Sequence, residues 1–76
     1  MITVKLYGLL RIESGIKVKQ LEAASVKEVL DALAVCGIDR KALNCCVILV
    51  NGTNATKRSK LTDGDTVVLM PPVAGG

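Results

Sequence analysis

The strongest local pattern in the chain is one amphipathic helix with a start signal and a stop signal. Ser25 precedes Glu28 by three residues, the pattern of a capping box, in which each side chain accepts a hydrogen bond from the other residue's free backbone N–H. Apolar residues then recur at helical spacing, at Val26, Val29, Leu30 and Leu33. Gly37 follows, and glycine readily takes the left-handed conformation that ends a helix. This helix has to bury its apolar stripe against another element.

Short strand patterns lie on both sides of the helix. Residues 1–7 and 16–22 alternate between apolar and polar side chains, which predicts two half-buried strands that pair antiparallel. Further strands are predicted at residues 46–50, around 54–56 and at 66–70. Gly8 is predicted to end the first strand, and residues 9–15 are interpreted as a connecting turn. Tight turns are predicted at Asn51-Gly52 and Asp63-Gly64-Asp65, and the two aspartates are given no chemistry.

The order β-β-α-β-β-β predicts an α+β fold, with a mixed sheet of about five strands and one main helix packed on one face. The first and last strands are expected side by side at the centre, with Val67 and Leu69 facing the helix. Residues 1–76 are expected to form one domain with a flexible tail at 73–76. The chain has no Phe or Trp, so its core is expected to consist of Val, Leu, Ile and Ala.

Composition narrows the function classes. No apolar run approaches the ~20 residues that span a bilayer, and no signal segment is evident, so we expect a cytoplasmic protein without membrane contact. The net charge is a mild +3. Lys57, Arg58 and Lys60 are interpreted as a solvated loop rather than a nucleic-acid site, because no aromatic residue lies among them. Docking onto an acidic partner is a third interpretation of this loop.

The three cysteines are odd in number, and the chain has no histidine, so a metal site is not expected. Cys45 and Cys46 are placed on a strand, where neighbouring side chains point to opposite faces, so one is expected in the core and one at the surface. Together with Cys36 they are interpreted as reduced thiols that mainly pack. A persulfide relay on the exposed member of the pair is the alternative, although no basic neighbour is evident to activate it.

The chain ends in Pro-Pro-Val-Ala-Gly-Gly, residues 71–76. Proline lacks a backbone N–H, so the pair ends the last strand. Glycine lacks a Cβ, so Gly75 and Gly76 form a thin peptide that fits a narrow channel. No nucleophile with a poised base and no phosphate-binding glycine loop is evident elsewhere, so we expect no active site in the chain beyond its terminus. The α-carboxylate of Gly76 is therefore interpreted as the working group.

The residues Leu61-Thr62-Asp63-Gly64-Asp65, the apolar strand after them, and the tail Pro71-Pro72-Val73-Ala74-Gly75-Gly76 resemble the MoaD-type sulfur carriers, the small subunits of molybdopterin synthase. The order of elements over all 76 residues fits that family as well. The resemblance implies a β-grasp, or ubiquitin-like, fold, and a chain that binds no cofactor itself.

The resemblance also implies a mechanism. An E1-like adenylating enzyme would use ATP to join AMP to Gly76, and a protein persulfide or other sulfur source would displace AMP to leave a thiocarboxylate. Inserted into the large synthase subunit, the thiocarboxylate would donate sulfur for the dithiolene of molybdopterin. The large subunit would supply the acid–base residues, so the chain would be the sulfur-donating part of an enzyme complex.

Partner binding is assigned to the tail and to the sheet face away from the helix. Val68 and Met70 are predicted to share that face, and Tyr7 extends it; a plain outer sheet surface is the alternative. In the family this face and the tail contact both the activating enzyme and the large subunit. The tail residues assigned to this contact are Pro71, Pro72, Val73, Ala74 and Gly75. Family members often carry Phe where this chain has Leu6 and Met70, which leaves the partner's identity open.

Three alternatives stay open. A sulfur carrier for thiamine or cysteine synthesis shares the fold and the Gly-Gly end, although the Pro-Pro-Val approach favours the molybdopterin type. A ubiquitin-like modifier would be joined through Gly76 to lysines of other proteins. A plain interaction module would have an inert tail. The sequence does not distinguish molybdenum from tungsten use.

Overall fold

The protein is described from a computed structural model, and the description covers residues 1–72. Five strands and three helices lie in this range. In chain order they are β1 Ile2–Leu6, α1 Gly8–Ser14, β2 Val18–Leu21, α2 Val26–Val35, α3 Arg40–Cys45, β3 Val47–Val50, β4 Thr53–Asn54 and β5 Thr66–Met70.

The strands form one mixed sheet in the order β2-β1-β5-β3-β4. β1 and β5 are parallel neighbours, with Val4 opposite Val67 and Leu6 opposite Leu69; the other pairs are antiparallel. The predicted mixed five-stranded sheet with its first and last strands adjacent is therefore confirmed. β2 is shorter than the predicted 16–22, and β4 lies slightly earlier than the predicted 54–56.

The core lies between the sheet and the helices. The buried side chains of α2 are the predicted ones, Val26, Val29, Leu30 and Leu33. The sheet contributes Ile2, Val4, Leu6, Ile48, Val67 and Leu69, and no polar side chain in the described range is buried with them. Each such aliphatic side chain stabilises the fold by roughly 1.5–3 kcal/mol relative to its exposed state. The predicted aliphatic core is confirmed.

Both ends of α2 form as the sequence predicts, with one difference. The Glu28 backbone N–H donates to Ser25 Oγ at 3.4 Å, but the Glu28 carboxylate accepts from the Ser25 hydroxyl rather than from its backbone N–H. The capping box is thus half formed. Gly37 has φ of 102°, and Gly37 and Ile38 donate their N–H groups to the carbonyls of Ala34 and Leu33 at 3.0 and 3.2 Å. This is the Schellman arrangement of a helix end.

The prediction of a turn at residues 9–15 is wrong, because α1 occupies most of this segment. α1 is anchored by buried Leu10 and ends at Gly15, which has φ of 74°. The sequence prediction also missed α3, whose start is capped by the Asp39 side chain and whose buried residue is Leu43. Each of these helices is about two turns long or less and buries one side chain, so neither produces an apolar repeat.

The cysteines occupy different positions from those predicted. Cys45 is the last residue of α3 and Cys46 is its C-terminal cap, so the assignment of the pair to a strand is wrong. Cys45 is exposed, whereas half-buried Cys46 packs against the core and donates to the Leu43 carbonyl. Burial raises the pKa of the Cys46 thiol. Cys36 is exposed, so the expectation that all three cysteines mainly pack is wrong for Cys36 and Cys45.

The two predicted turns are present and are bonded to each other. Gly64 has φ of 95°, and the Asp65 carboxylate accepts from the Thr62 N–H at 2.8 Å and from the Asn51 side-chain amide at 2.9 Å. The Asn51 side-chain oxygen in turn accepts from the Thr66 N–H at 3.0 Å. Asp65 therefore shapes the turn before β5, in agreement with the structural role predicted for it.

Candidate functional site

The root of the C-terminal tail follows directly from the middle strand of the sheet. β5 is paired on one side with β1 and on the other with β3, and Met70 at its end lies opposite Val47. Pro71 and Pro72 come next and are outside the strand. Because β5 is fixed on both sides, the place where the tail leaves the domain is fixed as well.

The predicted tail residues divide into two groups. Pro71 is half-buried and Pro72 is exposed. Val73, Ala74 and Gly75, predicted to bind partners, and Gly76, predicted to carry the chemistry, lie outside the described residues.

Gly8 packs against the start of the tail. It has φ of +60°, and a Cβ at this position would lie 2.6 Å from Pro71 Cγ and 2.9 Å from Pro71 Cδ. A glycine is therefore required both by the left-handed backbone and by the space that Pro71 occupies. Next to it, the Tyr7 N–H donates to the Leu69 carbonyl at 3.1 Å. The sequence interpretation treated Gly8 only as the end of a strand, since nothing local indicates a distant proline.

The predicted alternation along β5 is confirmed. Val67 and Leu69 are fully buried on the helix side, whereas Val68 and Met70 are half-buried on the other face. The strand register adds two residues that the sequence interpretation missed. Val47 lies opposite Met70 and Leu49 opposite Val68, and we call these four residues the outer patch.

Tyr7 lies just after β1 rather than within it and is 44% exposed. It lines a small surface cavity of about 120 Å³ together with Lys5 and Val18. Lys5 pairs directly with Val68 in the sheet, which places this cavity beside the outer patch. The other residues that line the cavity are Leu6, Arg11 and Lys17. The outer patch is thus bordered by Tyr7 and by basic side chains.

A larger cavity of about 270 Å³ lies at the start of the tail, and we call it the tail-root groove. Its walls come from α1, from α3 with the loop before it, and from the two prolines. The lining residues are Leu9, Leu10, Glu13, Ser14, Gly37, Ile38, Asp39, Ala42, Cys45, Pro71 and Pro72. Sequence reasoning could not have found this groove, because two of its walls are the helices that the sequence pattern does not indicate.

Other predicted features are placed as follows. Lys57, Arg58 and Lys60 are exposed, and the Lys57 ammonium donates to the Asn44 side chain at 2.7 Å. Between Met1 and Pro72, no three Cys, Asp or Glu side chains are grouped so that they could hold a metal ion. In the same range no helix has the length and apolar character needed to cross a membrane.

Comparison with solved structures defines the class of protein. The small archaeal modifier protein 1 (SAMP1) of Methanosarcina acetivorans matches with a TM-score of 0.85 and 26% identity, over 99% of this chain and 95% of that chain. The mixed sheet with parallel central strands and α2 across one face is the β-grasp fold of ubiquitin-like proteins. The predicted fold class is confirmed.

The family follows from the sequence itself. The chain belongs to the ThiS family, whose model matches residues 4–76. A search of curated proteins found no match.

Two further structures are complexes. A chain of the BexX/CysO complex of Amycolatopsis orientalis matches with a TM-score of 0.80 and 26% identity over the whole of both chains. A chain of the complex between subunits 1 and 2 of the Helicobacter pylori molybdopterin-converting factor matches with a TM-score of 0.75 and 26% identity, over 99% of this chain and 97% of that chain. The chain thus has the fold of the ubiquitin-like sulfur carriers.

Proposed function

We propose that this protein is a sulfur carrier whose Gly76 carboxylate is adenylated and converted to a thiocarboxylate. The observation that carries the proposal is the ThiS family match, which extends through the Gly-Gly end of the chain. The placement of Pro71 and Pro72 at the end of the central strand supports it, because a rigid exit presents the residues after it to a partner. The reaction uses ATP on the activating enzyme, and the proposed location is the cytoplasm.

The chemistry requires activation because a carboxylate is a poor acyl donor. Its negative charge repels a nucleophile, and oxide is a poor leaving group. An E1-like enzyme would join AMP to the Gly76 carboxylate, which neutralises the charge and supplies a good leaving group. A protein persulfide would then displace AMP to form an acyl disulfide, and a thiol would reduce the S–S bond of this adduct and release the thiocarboxylate. A sulfide donor would displace AMP and give the thiocarboxylate directly. In this proposal the chain binds no cofactor itself.

We propose molybdopterin synthesis as the pathway. The support is the Pro-Pro-Val-Ala-Gly-Gly tail, which resembles that of the molybdopterin synthase small subunits, together with the structural match to the molybdopterin-converting factor complex. The partner would be a large subunit that encloses the tail, contacts the outer patch and supplies the acid–base residues. The working complex would then be a hetero-oligomer.

A second candidate function is protein modification, favoured by the match to SAMP1. In that case Gly76 would form isopeptide bonds to lysines of other proteins. A sulfur carrier for another pathway is favoured by the match to the BexX/CysO complex. Isopeptide-linked adducts in cell lysates would support modification, and thiocarboxylate on the free protein would support either carrier.

The adenylation step can be tested with the Gly75→Val variant. We expect the wild-type protein to stimulate ATP–pyrophosphate exchange by its E1-like enzyme, and the variant to fail because a branched Cβ crowds the channel that admits the tail. Ala74→Gly adds no side-chain bulk and serves as the matched control, which should retain exchange. The thermal unfolding midpoint should be the same for all three proteins. Normal exchange by Gly75→Val would contradict the threading argument.

The pathway can be tested separately. Thiocarboxylated protein would be mixed with a molybdopterin synthase large subunit and cyclic pyranopterin monophosphate, and molybdopterin would be measured as the product. Formation of product that depends on Gly76 would support the assignment. Transfer of sulfur only in an assay for thiamine or cysteine synthesis would replace it.

A further inference from the structure

Exposed apolar side chains lie in and beside the tail-root groove. Leu9, on its wall, is 60% exposed. Ile12 is 74% exposed and lies three residues further along α1, so the two side chains are neighbours on the helix surface. Ala42 and Pro71 line the same groove. Contiguous exposed apolar side chains around a cavity mark a surface that gains free energy when a partner covers it.

The charged side chains that line the groove are all acidic. Glu13 and Asp39 line it, and no Lys or Arg does. Between residues 1 and 72 neither carboxylate forms a salt bridge. One Asp39 oxygen accepts from the Lys41 N–H at 3.2 Å, which leaves the other oxygen available to a ligand. The smaller cavity beside the outer patch is lined by three cations instead, so the two cavities differ in the sign of the charged side chains that line them.

Apolar walls with an acidic lining fit an occupant with an aliphatic stem and a cationic end. Lysine and arginine side chains have this form, since they bury their methylene groups and keep the charge at the tip. The groove also includes Pro71 and Pro72, so it borders the start of the tail that the proposed partner encloses. The groove is therefore continuous with the proposed tail interface.

We propose that the tail-root groove receives an arginine or lysine side chain, flanked by apolar residues, from the protein that binds the tail. The stem would pack against Leu9, Ala42 and Pro71, and the cationic end would meet the carboxylates of Glu13 and Asp39. The inference deepens the proposed function and rests on it for the identity of the partner. What it adds is the type of side chain that the groove binds.

The test uses two short peptides and isotope-labelled protein. Acetyl-Leu-Arg-Leu-amide and acetyl-Leu-Glu-Leu-amide would be titrated separately into the ¹⁵N-labelled full-length chain, and amide shifts would be followed by NMR. We expect the basic peptide to shift the amides of Leu9, Gly37 and Ala42. The acidic peptide should bind about two- to fivefold more weakly, the ratio that a partly exposed ion pair produces. Equal binding of both peptides, binding elsewhere, or no shift with either would overturn the proposal.

Two pairs of variants sharpen the test. Glu13→Gln should remove most of the preference for the basic peptide, whereas Glu22→Gln, an exposed carboxylate outside the groove, should keep it. Cys45→Phe should fill the groove and abolish the shifts, whereas Cys36→Phe alters an exposed cysteine outside the groove and should have no effect. Unchanged peptide binding by Cys45→Phe, in a variant with a wild-type unfolding midpoint, would overturn the proposal.

These readouts do not depend on sulfur transfer. A failure to adenylate Gly76 would refute the proposed function without changing any peptide result. A failure of the peptide titrations would refute only the proposal that the groove binds a basic side chain, and would not affect the proposal that Gly76 is adenylated.

Discussion

At the scale of single residues, Gly8 is the position that joins the body of the domain to the start of the tail. Its backbone is left-handed, and its missing Cβ makes room for Pro71. Gly15 has a similar φ of +74° but has nothing within 4 Å of the place where a Cβ would stand. The two glycines therefore separate the effect of backbone strain from the effect of the proline contact.

We expect Gly8→Ala to destabilise the fold more than Gly15→Ala. Both substitutions place an L-residue in the left-handed region, which costs roughly 1–2 kcal/mol. Gly8→Ala also forces Pro71 to move, and an overpacked contact adds about 1–3 kcal/mol. Urea denaturation of both variants gives the difference in the free energy of unfolding. Equal losses in the free energy of unfolding would show that Pro71 can move away from α1 at no cost in stability.

Asp65 provides a prediction on pH. The Thr62 N–H, followed by the Asn51 side-chain amide, holds the pKa of the Asp65 carboxyl below its ordinary value of 3.8. A carboxylate whose folded pKa is depressed contributes stability that is present above the unfolded pKa and is lost as the pH falls through the folded pKa. The Arg40 side chain likewise lowers the pKa of Asp31. The stability that these two carboxylates contribute is therefore lost in the acid range, as the pH falls below 3.8.

Carboxyl NMR titration should therefore place the Asp65 midpoint below 3.8. Asn51→Gly removes the side-chain amide that donates to Asp65, and glycine tolerates the φ of 51° at this turn. The Asp65 midpoint should therefore move partly back toward the ordinary value in this variant. The Asp31 midpoint should stay unchanged in that variant. An Asp65 midpoint at or above the ordinary value in the wild type would contradict the bonding at this turn.

At the scale of elements, predictability follows from how many side chains each element buries. α2 buries four residues at helical spacing and has recognisable ends, so its existence and its buried face could be predicted. α1 and α3 bury Leu10 and Leu43 alone, and a single buried residue has no period. They form because tertiary contacts hold them, and this information is absent from the local pattern.

The N-terminal cap of α2 can be tested by Ser25→Ala. Loss of the acceptor for the Glu28 N–H should destabilise the protein by about 0.5–1 kcal/mol, the lower part of the usual range for a cap, because the hydrogen bond is long at 3.4 Å. Thermal unfolding should show a fall of a few degrees, since about 1 kcal/mol corresponds to ~4–8 °C in a domain of this size. Ser25→Asp retains an acceptor and should stay near the wild-type midpoint. No change in Ser25→Ala would contradict a role for the cap.

At the scale of the whole molecule, the sheet could be predicted and the groove could not. The alternation in residues 1–7 indicates which side chains of β1 face the core, whereas the assignment of Val67 and Leu69 to the helix side of β5 relies on the two-residue period of a strand. The β-grasp arrangement, which the resemblance implies and the order of elements supports, makes these strands neighbours. The groove depends on residues far apart in sequence, such as Leu9, Ala42 and Pro71, and no local pattern predicts that they meet. The outer patch lies between these cases, because Val68 and Met70 were predicted whereas Val47 and Leu49 required the register.

The central claim is that Gly76 carries sulfur, and fragment mass spectrometry tests it most directly. The protein would be isolated from cells that express its E1-like enzyme, and the terminal peptide would be fragmented after treatment with a thiol-directed alkylator. Intact mass is insufficient, because exchange of oxygen for sulfur nearly matches oxidation of a Met or Cys. We predict a sulfur-for-oxygen replacement and an alkyl label on Gly76 itself. An unmodified Gly76, with the E1-like enzyme shown to be active, would contradict the assignment as a sulfur carrier.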